Sequence, residues 1–314
     1  MKAAVVGAYG EPPEFTDFEE PHADSDGQEV VEVLAAGLNP VDLHIASGSF
    51  YAGSPPLPYV PGREGVARAA DGRRVYFDTP VPPFGSLAQR TLIDSSGAVE
   101  LPDGVEDALA IACGVAGLAA WLSLQWRAQL KPGETVLVLG ASGPVGQIAI
   151  QAALIMGAGR VIAAARSERG LERARELGAA ATVELAGDRD AVVGALREAA
   201  PDGVDVTIDP VWGPPAEAAI EVMAVRGRHV QLGAAAAPTA TLPSGIVRGR
   251  LLAILGHTSY QTPAEVRRTA FEQMLAHAAA GELRVDAERI PLADAAVAWE
   301  RQRSAPGAKL VLVP

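Results

Sequence analysis

A glycine-rich turn at residues 140–146 constrains the fold of this chain more than any other stretch. A short apolar run, 136–139, precedes it, and apolar residues recur at helical spacing from Val145 to Met156 after it. Strand, tight turn and helix in this order are typical of a dinucleotide-binding unit, in which glycines let the backbone approach a pyrophosphate and let the helix pack on the strand. The free N–H groups at the helix start then face the phosphates.

Two interpretations of the turn stay open, because Ala141 stands where the first glycine of G-x-G-x-x-G is expected. A tight strand-to-helix turn without a ligand produces the same local pattern. The dinucleotide interpretation is favoured because a strand and a helix flank the turn and another strand follows it. The predicted cofactor contacts of the turn are Ala141, Ser142, Gly143, Pro144, Val145 and Gly146.

Alternating strands and helices follow the turn. Strands are predicted at 161–165, 182–185, 204–208, 229–232 and 251–255, with helices at 168–177, 190–199 and 215–224. This alternation predicts a parallel sheet with helices on both faces. Residues 1–100 are mostly strand and loop with Gly and Pro corners, including a predicted strand at 85–93, and a long apolar helix is predicted at 105–127. A closing strand at 309–313 is expected to pair back into the first domain.

Composition narrows the function class. A net charge of −12 argues against a broad nucleic-acid or anionic-membrane surface. The single cysteine, Cys113, excludes an internal disulfide and fits a reducing compartment. No secretory signal pattern and no uncharged run of membrane-spanning length are recognised. We therefore expect a cytoplasmic protein without a nucleic-acid or membrane partner.

Several motifs together resemble one family along the whole chain. They lie at 37–42, 57–65, 140–146, 209–213, 227–233 and 291–295. They resemble the zinc-free quinone oxidoreductase branch of the medium-chain dehydrogenase/reductase superfamily. The resemblance implies an α/β fold, with a Rossmann doubly wound parallel sheet and a mostly β, GroES-like catalytic domain. It divides the chain into a catalytic domain (1–105), a dinucleotide-binding domain (106–252) and a C-terminal return to the catalytic domain (253–314).

The tip of the second strand of the nucleotide sheet points to NADPH. Sites that take NAD place an acidic residue on the ribose 2′-hydroxyl at this position, about 20 residues past the glycines. Here the tip carries Arg166 and Ser167, with Arg169 one turn further on. A guanidinium binds a 2′-phosphate well, and two arginines at a helix N-terminus are unfavourable without an anion. The alternative is a solvated helix start with Ser167 as N-cap and Glu168 neutralising an arginine.

Further cofactor contacts are expected where the other strands end, because ligands bind at the carboxyl edge of open α/β sheets. The resemblance adds backbone contacts to the carboxamide, Asn39 beside the nicotinamide ribose, and Lys309 near the cofactor. The residues concerned are Asn39, Asp209, Leu232, Gly233, Ala234, Gly256, His257, Thr258 and Lys309.

No metal is expected. The resemblance places Asn39 where zinc-dependent relatives have a cysteine ligand and Arg63 where they have a histidine ligand. Cys113 is interpreted as a small buried apolar residue, and Arg63 is expected to pair with Glu64 or a nearby acid. Without a Lewis acid, hydride transfer suits a quinone or enone, because the charge spreads onto a conjugated oxygen that hydrogen-bond donors and water can stabilise.

Candidate catalytic residues are Asn39, His44 and Tyr51, with Asp42 and Phe50 in the substrate pocket. His44 and Phe50 fall where some family members carry tyrosines near the substrate, and Tyr51 is adjacent to them. A surface position for His44 and a loop-filling role for both aromatic residues are the alternatives.

The sequence therefore predicts an NADPH-dependent reductase of quinones or α,β-unsaturated carbonyls that acts on a small molecule. The alternatives are an enoyl-thioester reductase of a biosynthetic pathway and a weakly catalytic, NADPH-binding sensor or structural protein. A homodimer is expected through the apolar edge strand from Leu251 to Leu255, unless a loop at 239–247 covers that edge.

Overall fold

The computed structural model describes residues 1–314, which form two compact units. The first unit contains Met1–Val115, Met274–Gly281 and Val285–Pro314, and the second contains Ala116–Gln273 and Glu282–Arg284. These limits differ from the predicted domain boundaries at 105/106 and 252/253. Those boundaries stay a prediction, because spatial compactness and independent folding are different properties.

The chain contains fifteen strands and nine helices. The strands are β1 (Lys2–Val5), β2 (Glu14–Asp17), β3 (Gln28–Leu38), β4 (Glu64–Arg68), β5 (Arg74–Phe77), β6 (Arg90–Asp94), β7 (Val99–Glu100), β8 (Thr135–Leu139), β9 (Arg160–Ala165), β10 (Ala181–Glu184), β11 (Val204–Asp209), β12 (Met223–Gln231), β13 (Ala253–Gly256), β14 (Ala287–Pro291) and β15 (Lys309–Val313). The helices are α1 (Pro40–Ala46), α2 (Asp107–Ala128), α3 (Pro144–Ile155), α4 (Glu168–Glu176), α5 (Arg189–Ala199), α6 (Pro214–Ile220), α7 (Ser244–Gly249), α8 (Ala264–Ala279) and α9 (Ala295–Arg303).

The second unit is built on a six-stranded parallel sheet in the order β10-β9-β8-β11-β12-β13. The apolar side chains of β8 and β9 explain its stability, because Leu137, Leu139, Ile162 and Ala164 are fully buried in its core. The strand order reverses between β8 and β11, so the glycine turn after β8 lies at the point where such sheets bind ligands. The predicted doubly wound sheet is confirmed.

The first unit is mostly β. Its larger sheet has the order β14-β15-β3-β4-β5-β7, with β6 also paired to β3, and only β14 and β15 run parallel. The C-terminal strand β15 lies antiparallel to β3, with Leu310 opposite Leu38, which confirms the expected return of the chain end. Strands from both ends of the sequence therefore share one core, in which Trp299 and Leu312 are buried.

Three local predictions are wrong. The helix predicted at 215–224 ends at Ile220, because β12 begins at Met223 and follows the β-branched Val222. The strand predicted at 85–93 begins at Arg90, and the preceding segment pairs only through an isolated bridge at Ala88. Strand β14 was not predicted, because only Ile290 of its five residues is buried.

The expectation that no uncharged run reaches membrane-spanning length is also wrong. Helix α2 has 22 residues and a mean hydropathy of 1.7 in its most apolar window, which is long and apolar enough to cross a membrane. Of that window, 78% is buried inside the protein. A buried core helix of a folded domain meets the same criterion of length and hydropathy. Packing inside the protein therefore accounts for the apolar residues of α2.

Strand β13 is the outer strand of the parallel sheet, as predicted, and pairs within the chain only with β12. Ile254 on this strand is 37% exposed and Leu251 just before it is 62% exposed. We expect two copies to pair through this edge, so light scattering should give twice the chain mass of 32.4 kDa.

Charge at this edge should separate the copies. Ile254→Lys should give a monomer, whereas Val297→Lys, at a 59% exposed position on α9, should not change the mass. A wild-type monomer at high micromolar concentration would contradict the dimer.

Candidate cofactor and active site

The glycine turn of the second unit has the geometry that phosphate approach requires. Gly140 adopts φ +61°, and Gly143 is the N-cap of α3, with Pro144 at its first position. A Cβ at Gly146 would lie 2.5 Å from Ala141 Cα, so only glycine lets α3 pack this closely on the turn. A Cβ at Gly143 would meet nothing closer than 3.7 Å, which leaves its outer face open. Gly146 therefore has its predicted packing role, whereas the phosphate contact of Gly143 stays a prediction.

The start of α4 lies against this turn. Ser167 is the N-cap of α4, because its Oγ accepts a hydrogen bond from the Gly170 N–H at 3.2 Å, as the alternative interpretation of the strand tip has it. Its contact with the cofactor stays a prediction. A Cβ at Gly170 would lie 2.5 Å from the Cβ of Ser142, so the first turn of α4 touches the glycine turn directly. The strand tip and the proposed phosphate site therefore form one continuous surface.

Two arginines at this surface carry uncompensated charge. Arg166 and Arg169 are exposed, and neither forms an ion pair within 4 Å. Glu168, which was considered as their neutralising partner, instead bonds Arg175 at 3.0 Å. Two cations beside the positive end of a helix are therefore left available for an anion.

The turn after β11 closes the other side of the glycine turn. Asp209 is fully buried, and its Oδ1 accepts hydrogen bonds from the N–H groups of Val211 and Trp212, each at 2.8 Å. Its Oδ2 lies 2.8 Å from Nε2 of the fully buried His229. A Cβ at Gly140 would approach Val211 Cγ1 to 2.9 Å, so Asp209 shapes the wall of the site through the backbone it holds.

Two backbone N–H groups just after β12 and β13 are hydrogen-bonded within the chain. The Leu232 N–H bonds Asp209 O at 2.9 Å, and the His257 N–H bonds Gln231 O at 2.9 Å. Burial, followed by the charge of Arg127, lowers the pKa of His257 to about 4, so its ring is neutral. The roles assigned to these residues stay a proposal, as do those of the remaining predicted contacts at these strand ends, which are Gly233, Ala234, Gly256 and Thr258.

A buried polar cluster occupies the first unit. The Lys309 Nζ lies 2.6 Å from Asn39 Oδ1 and 2.6 Å from Glu64 Oε1. Asn39 Nδ2 donates to the same Glu64 oxygen at 2.9 Å. Lys309 is 2% exposed and Glu64 is fully buried, so the ammonium holds the amide of Asn39 in one orientation. Lys309 is thus buried and contacts the side chain of Asn39.

The second oxygen of Glu64 ties this cluster to α2. Glu64 Oε2 accepts hydrogen bonds from the Tyr76 hydroxyl at 2.8 Å and the Val115 N–H at 2.7 Å. The Val115 donor is available because α2 is kinked at Gly114, where ψ is −118°. A Cβ at Gly114 would overlap both the Tyr76 hydroxyl and the Glu64 carboxylate, which explains the glycine.

Asp42 connects this cluster to a cavity. Its Oδ2 accepts the Asn39 N–H at 2.8 Å, which caps α1, while its Oδ1 is buried without a hydrogen-bond partner. Burial raises the pKa of Asp42 to about 6, partly opposed by the Asn39 N–H and by the charge of Lys309. Asp42 lines a cavity of about 220 Å³ within the first unit, and its place in a substrate pocket stays a prediction.

The structure does not bring the other predicted catalytic side chains into this cavity. His44 is exposed on α1, Tyr51 is 73% exposed, and the Phe50 and Tyr51 rings pack on each other at 4.5 Å between centroids. None of the three lines the cavity. Their roles in catalysis stay a proposal.

The residues at the positions of zinc ligands have other partners. Cys113 is fully buried, and burial followed by the charge of Glu64 raises the pKa of its thiol to about 12. No three His, Cys, Asp or Glu side chains are grouped to hold a metal ion. Arg63 does not take Glu64 as its partner, because Lys309 holds that carboxylate. Its Nη2 donates to Asp78 O at 3.4 Å.

Sequence reasoning missed Glu64 and Tyr76 of the buried cluster, and Tyr59, which lines the cavity. A signal was present for the first of these, because Glu64 and Lys309 are charged residues that directly precede the apolar parts of β4 and β15. Two opposite charges in buried strands of one domain are expected to pair.

Removing Lys309 should destabilise the first unit, because Glu64 would stay buried without its cation. We expect Lys309→Met to lower the free energy of unfolding by about 3–5 kcal/mol in urea titrations at pH 7. The double variant Glu64→Gln/Lys309→Met should recover part of this loss, since it no longer buries an unpaired charge. Equal stability of wild type and Lys309→Met would contradict this account.

Comparisons with known proteins agree with this geometry. A family profile described as zinc-binding dehydrogenase matches residues 144–280. Quinone oxidoreductase-like protein 2 of Rattus norvegicus is 31% identical over 245 residues, which cover 73% of this chain and 67% of that protein. The chloroplastic NADPH-dependent alkenal/one oxidoreductase of Arabidopsis thaliana is 31% identical over 228 residues, covering 65% of this chain and 56% of that protein.

Solved structures extend the likeness to the whole chain. The quinone oxidoreductase of Thermus thermophilus, determined alone and with NADPH, aligns over 100% of both chains with a TM-score of 0.84 and 33% identity. Fold, glycine turn and sequence thus point to the same group. The chain belongs to the quinone oxidoreductase branch of the medium-chain dehydrogenase/reductase superfamily.

Proposed function

We propose that this protein is an NADPH-dependent oxidoreductase that transfers a hydride to a quinone or an α,β-unsaturated carbonyl compound without a metal. The observation that carries the cofactor choice is the pair of unpaired arginines, Arg166 and Arg169, on the surface that continues the glycine turn. The named activities of the quinone and alkenal/one oxidoreductases described above support the substrate class.

The residues present fit a dinucleotide. The open face of Gly143 and the first N–H groups of α3 would receive the pyrophosphate. Arg166 and Arg169 would bind the 2′-phosphate, with the Ser167 cap fixing the helix start between them. When bound, the cofactor supplies the hydride.

The first unit would orient the reacting end. By family resemblance, Asn39 lies beside the nicotinamide ribose, and its side chain is fixed by Lys309 and Glu64. A conjugated acceptor places its developing charge on an oxygen remote from the carbon that receives the hydride. Fixed hydrogen-bond donors therefore suffice to stabilise it.

Arg166 should determine the preference for NADPH. We expect Arg166→Ala to weaken NADPH binding by about 1.5–3 kcal/mol while NADH binding changes little, because only NADPH carries the 2′-phosphate. Titration calorimetry with both cofactors measures this difference.

Arg175→Ala is the matched control, since Arg175 lies on the same helix but pairs with Glu168. It should leave both affinities unchanged. Equal weakening of NADPH and NADH by Arg166→Ala would show that Arg166 does not contact the 2′-phosphate, and the choice of NADPH would fail.

The reaction class is tested by NADPH oxidation with a benzoquinone, an enone and a crotonyl thioester side by side. We expect turnover with the quinone or enone, unchanged after exhaustive chelation, and unchanged in Cys113→Ser. Preference for the thioester would favour the enoyl-thioester reductase. Tight NADPH binding without turnover would favour a cofactor-binding sensor, and activity restored by zinc would reject the metal-free mechanism.

A further inference from the structure

The cavity of the first unit is lined mostly by apolar residues and by two charged ones. Its volume of about 220 Å³ is below the roughly 300–1,000 Å³ typical of pockets for drug-sized ligands, so it suits a single ring or a short chain. Much of its wall is Pro82, Pro83 and Phe84. Asp42 and Arg63 are the two charged residues among those that line it.

The backbone that carries Arg63 is held rigidly. The carbonyl of Pro61 accepts the Leu87 N–H and that of Gly62 accepts the Ser86 N–H, both at 3.0 Å. Gly62 adopts φ +102°, and a Cβ there would overlap the Ser86 hydroxyl. The guanidinium is half-buried and reaches Asp78 O at 3.4 Å. Arg63 is therefore preorganised at the cavity.

We propose that this cavity binds the acceptor substrate and that the Arg63 guanidinium stabilises the negative charge that develops on the substrate's carbonyl oxygen. This inference rests on the proposed reductase function. It narrows the substrate class to one-ring quinones and short enals or enones. Asn39, placed beside the nicotinamide by resemblance, bonds Asp42 on the cavity wall, so the same loop serves both ends of the reaction.

The chemistry requires such a group. A hydride adds to the electron-poor carbon of the substrate, the conjugated π-bond shifts, and the electron pair ends on the carbonyl oxygen. A proton from water then forms the O–H bond, so the substrate gains two electrons and two hydrogens while the nicotinamide is oxidised by two electrons. An arginine remains protonated throughout and offers several donors, so it can face the oxyanion without losing its own charge.

The first test uses steady-state kinetics to isolate the contribution of the Arg63 side chain. We expect Arg63→Met to lower kcat with benzoquinone and methyl vinyl ketone about 100-fold, with the KM for NADPH changed less than about twofold. Arg63→Lys should retain an intermediate rate, and added guanidinium should partly restore the rate of Arg63→Ala. Arg68→Met is the control: Arg68 ends β4, the strand that begins directly after Arg63, is exposed and lies 3.8 Å from Glu32, and this variant should behave as wild type.

The second test needs no turnover. 4-Nitrophenol imitates the product oxyanion, and its phenolate is detected by absorbance. In the wild-type protein saturated with NADP⁺, bound 4-nitrophenol should ionise at a pH about one to three units lower than in Arg63→Met.

The outcomes are distinct. If wild type oxidises NADPH with the quinone or enone but Arg63→Met is equally fast, or if 4-nitrophenol ionises at the same pH in both proteins, the role of Arg63 is rejected while the proposed function stands. If wild type turns over no acceptor, the proposed function fails and this inference fails with it. A slow Arg63→Met that binds NADPH normally, together with partial guanidinium rescue of Arg63→Ala, supports the inference.

Discussion

The buried carboxylate of Glu64 is the interaction on which the first unit depends. It receives hydrogen bonds from Lys309, Asn39, Tyr76 and Val115 at 2.6–2.9 Å. These partners come from β15, the loop before α1, β5 and the kink of α2, which are distant in sequence. A fully buried ion is tolerated only when every oxygen is satisfied. The carboxylate therefore fixes the positions of four segments at once, and Asn39 is held still as a consequence.

In the second unit, close approach between backbone segments at glycines fixes the positions of the segments that form the site. Gly146 brings α3 onto the turn, and Gly170 brings α4 against Ser142. Gly140 adopts its left-handed conformation where Val211 packs on it, and Val211 is itself held by Asp209. These three glycines and the buried Asp209 thus bring the ends of three strands together at a single surface. Arg166 and Arg169 lie at the edge of this surface, which is why their charges bear on phosphate binding.

The sequence was sufficient for this second unit because its signals are local. The apolar run before Gly140, the glycines and the Ser167 cap each act within a few residues, and the structure agrees with them. The helix predicted to Ala224 failed because an early turn to β12 depends on pairing with β11, which is not a local property. The order of the domains along the chain was predicted from family resemblance and not from local sequence periodicity.

The first unit was harder to predict because its site depends on long-range contacts. Glu64 and Lys309 are 245 residues apart in sequence, so their 2.6 Å contact has no spacing signature. Arg63 was expected to pair with Glu64 or a nearby acid. Arg63 directly precedes β4 and lines the cavity, whereas the Glu64 carboxylate is buried against Lys309, a partner that no local pattern indicates.

Nearby cations partly balance the buried acids of the first unit. Two acids, Glu64 and Asp42, are buried in one region, and Lys309 compensates the first through direct contact. Burial raises the pKa of Asp42 to about 6, and the charge of Arg63 is among the influences that lower it. Above that pH the Asp42 carboxylate attenuates the positive field of Arg63. As the pH falls through about 6, Asp42 becomes neutral, so the first unit loses one buried negative charge near Lys309 and Arg63 and its local potential becomes more positive.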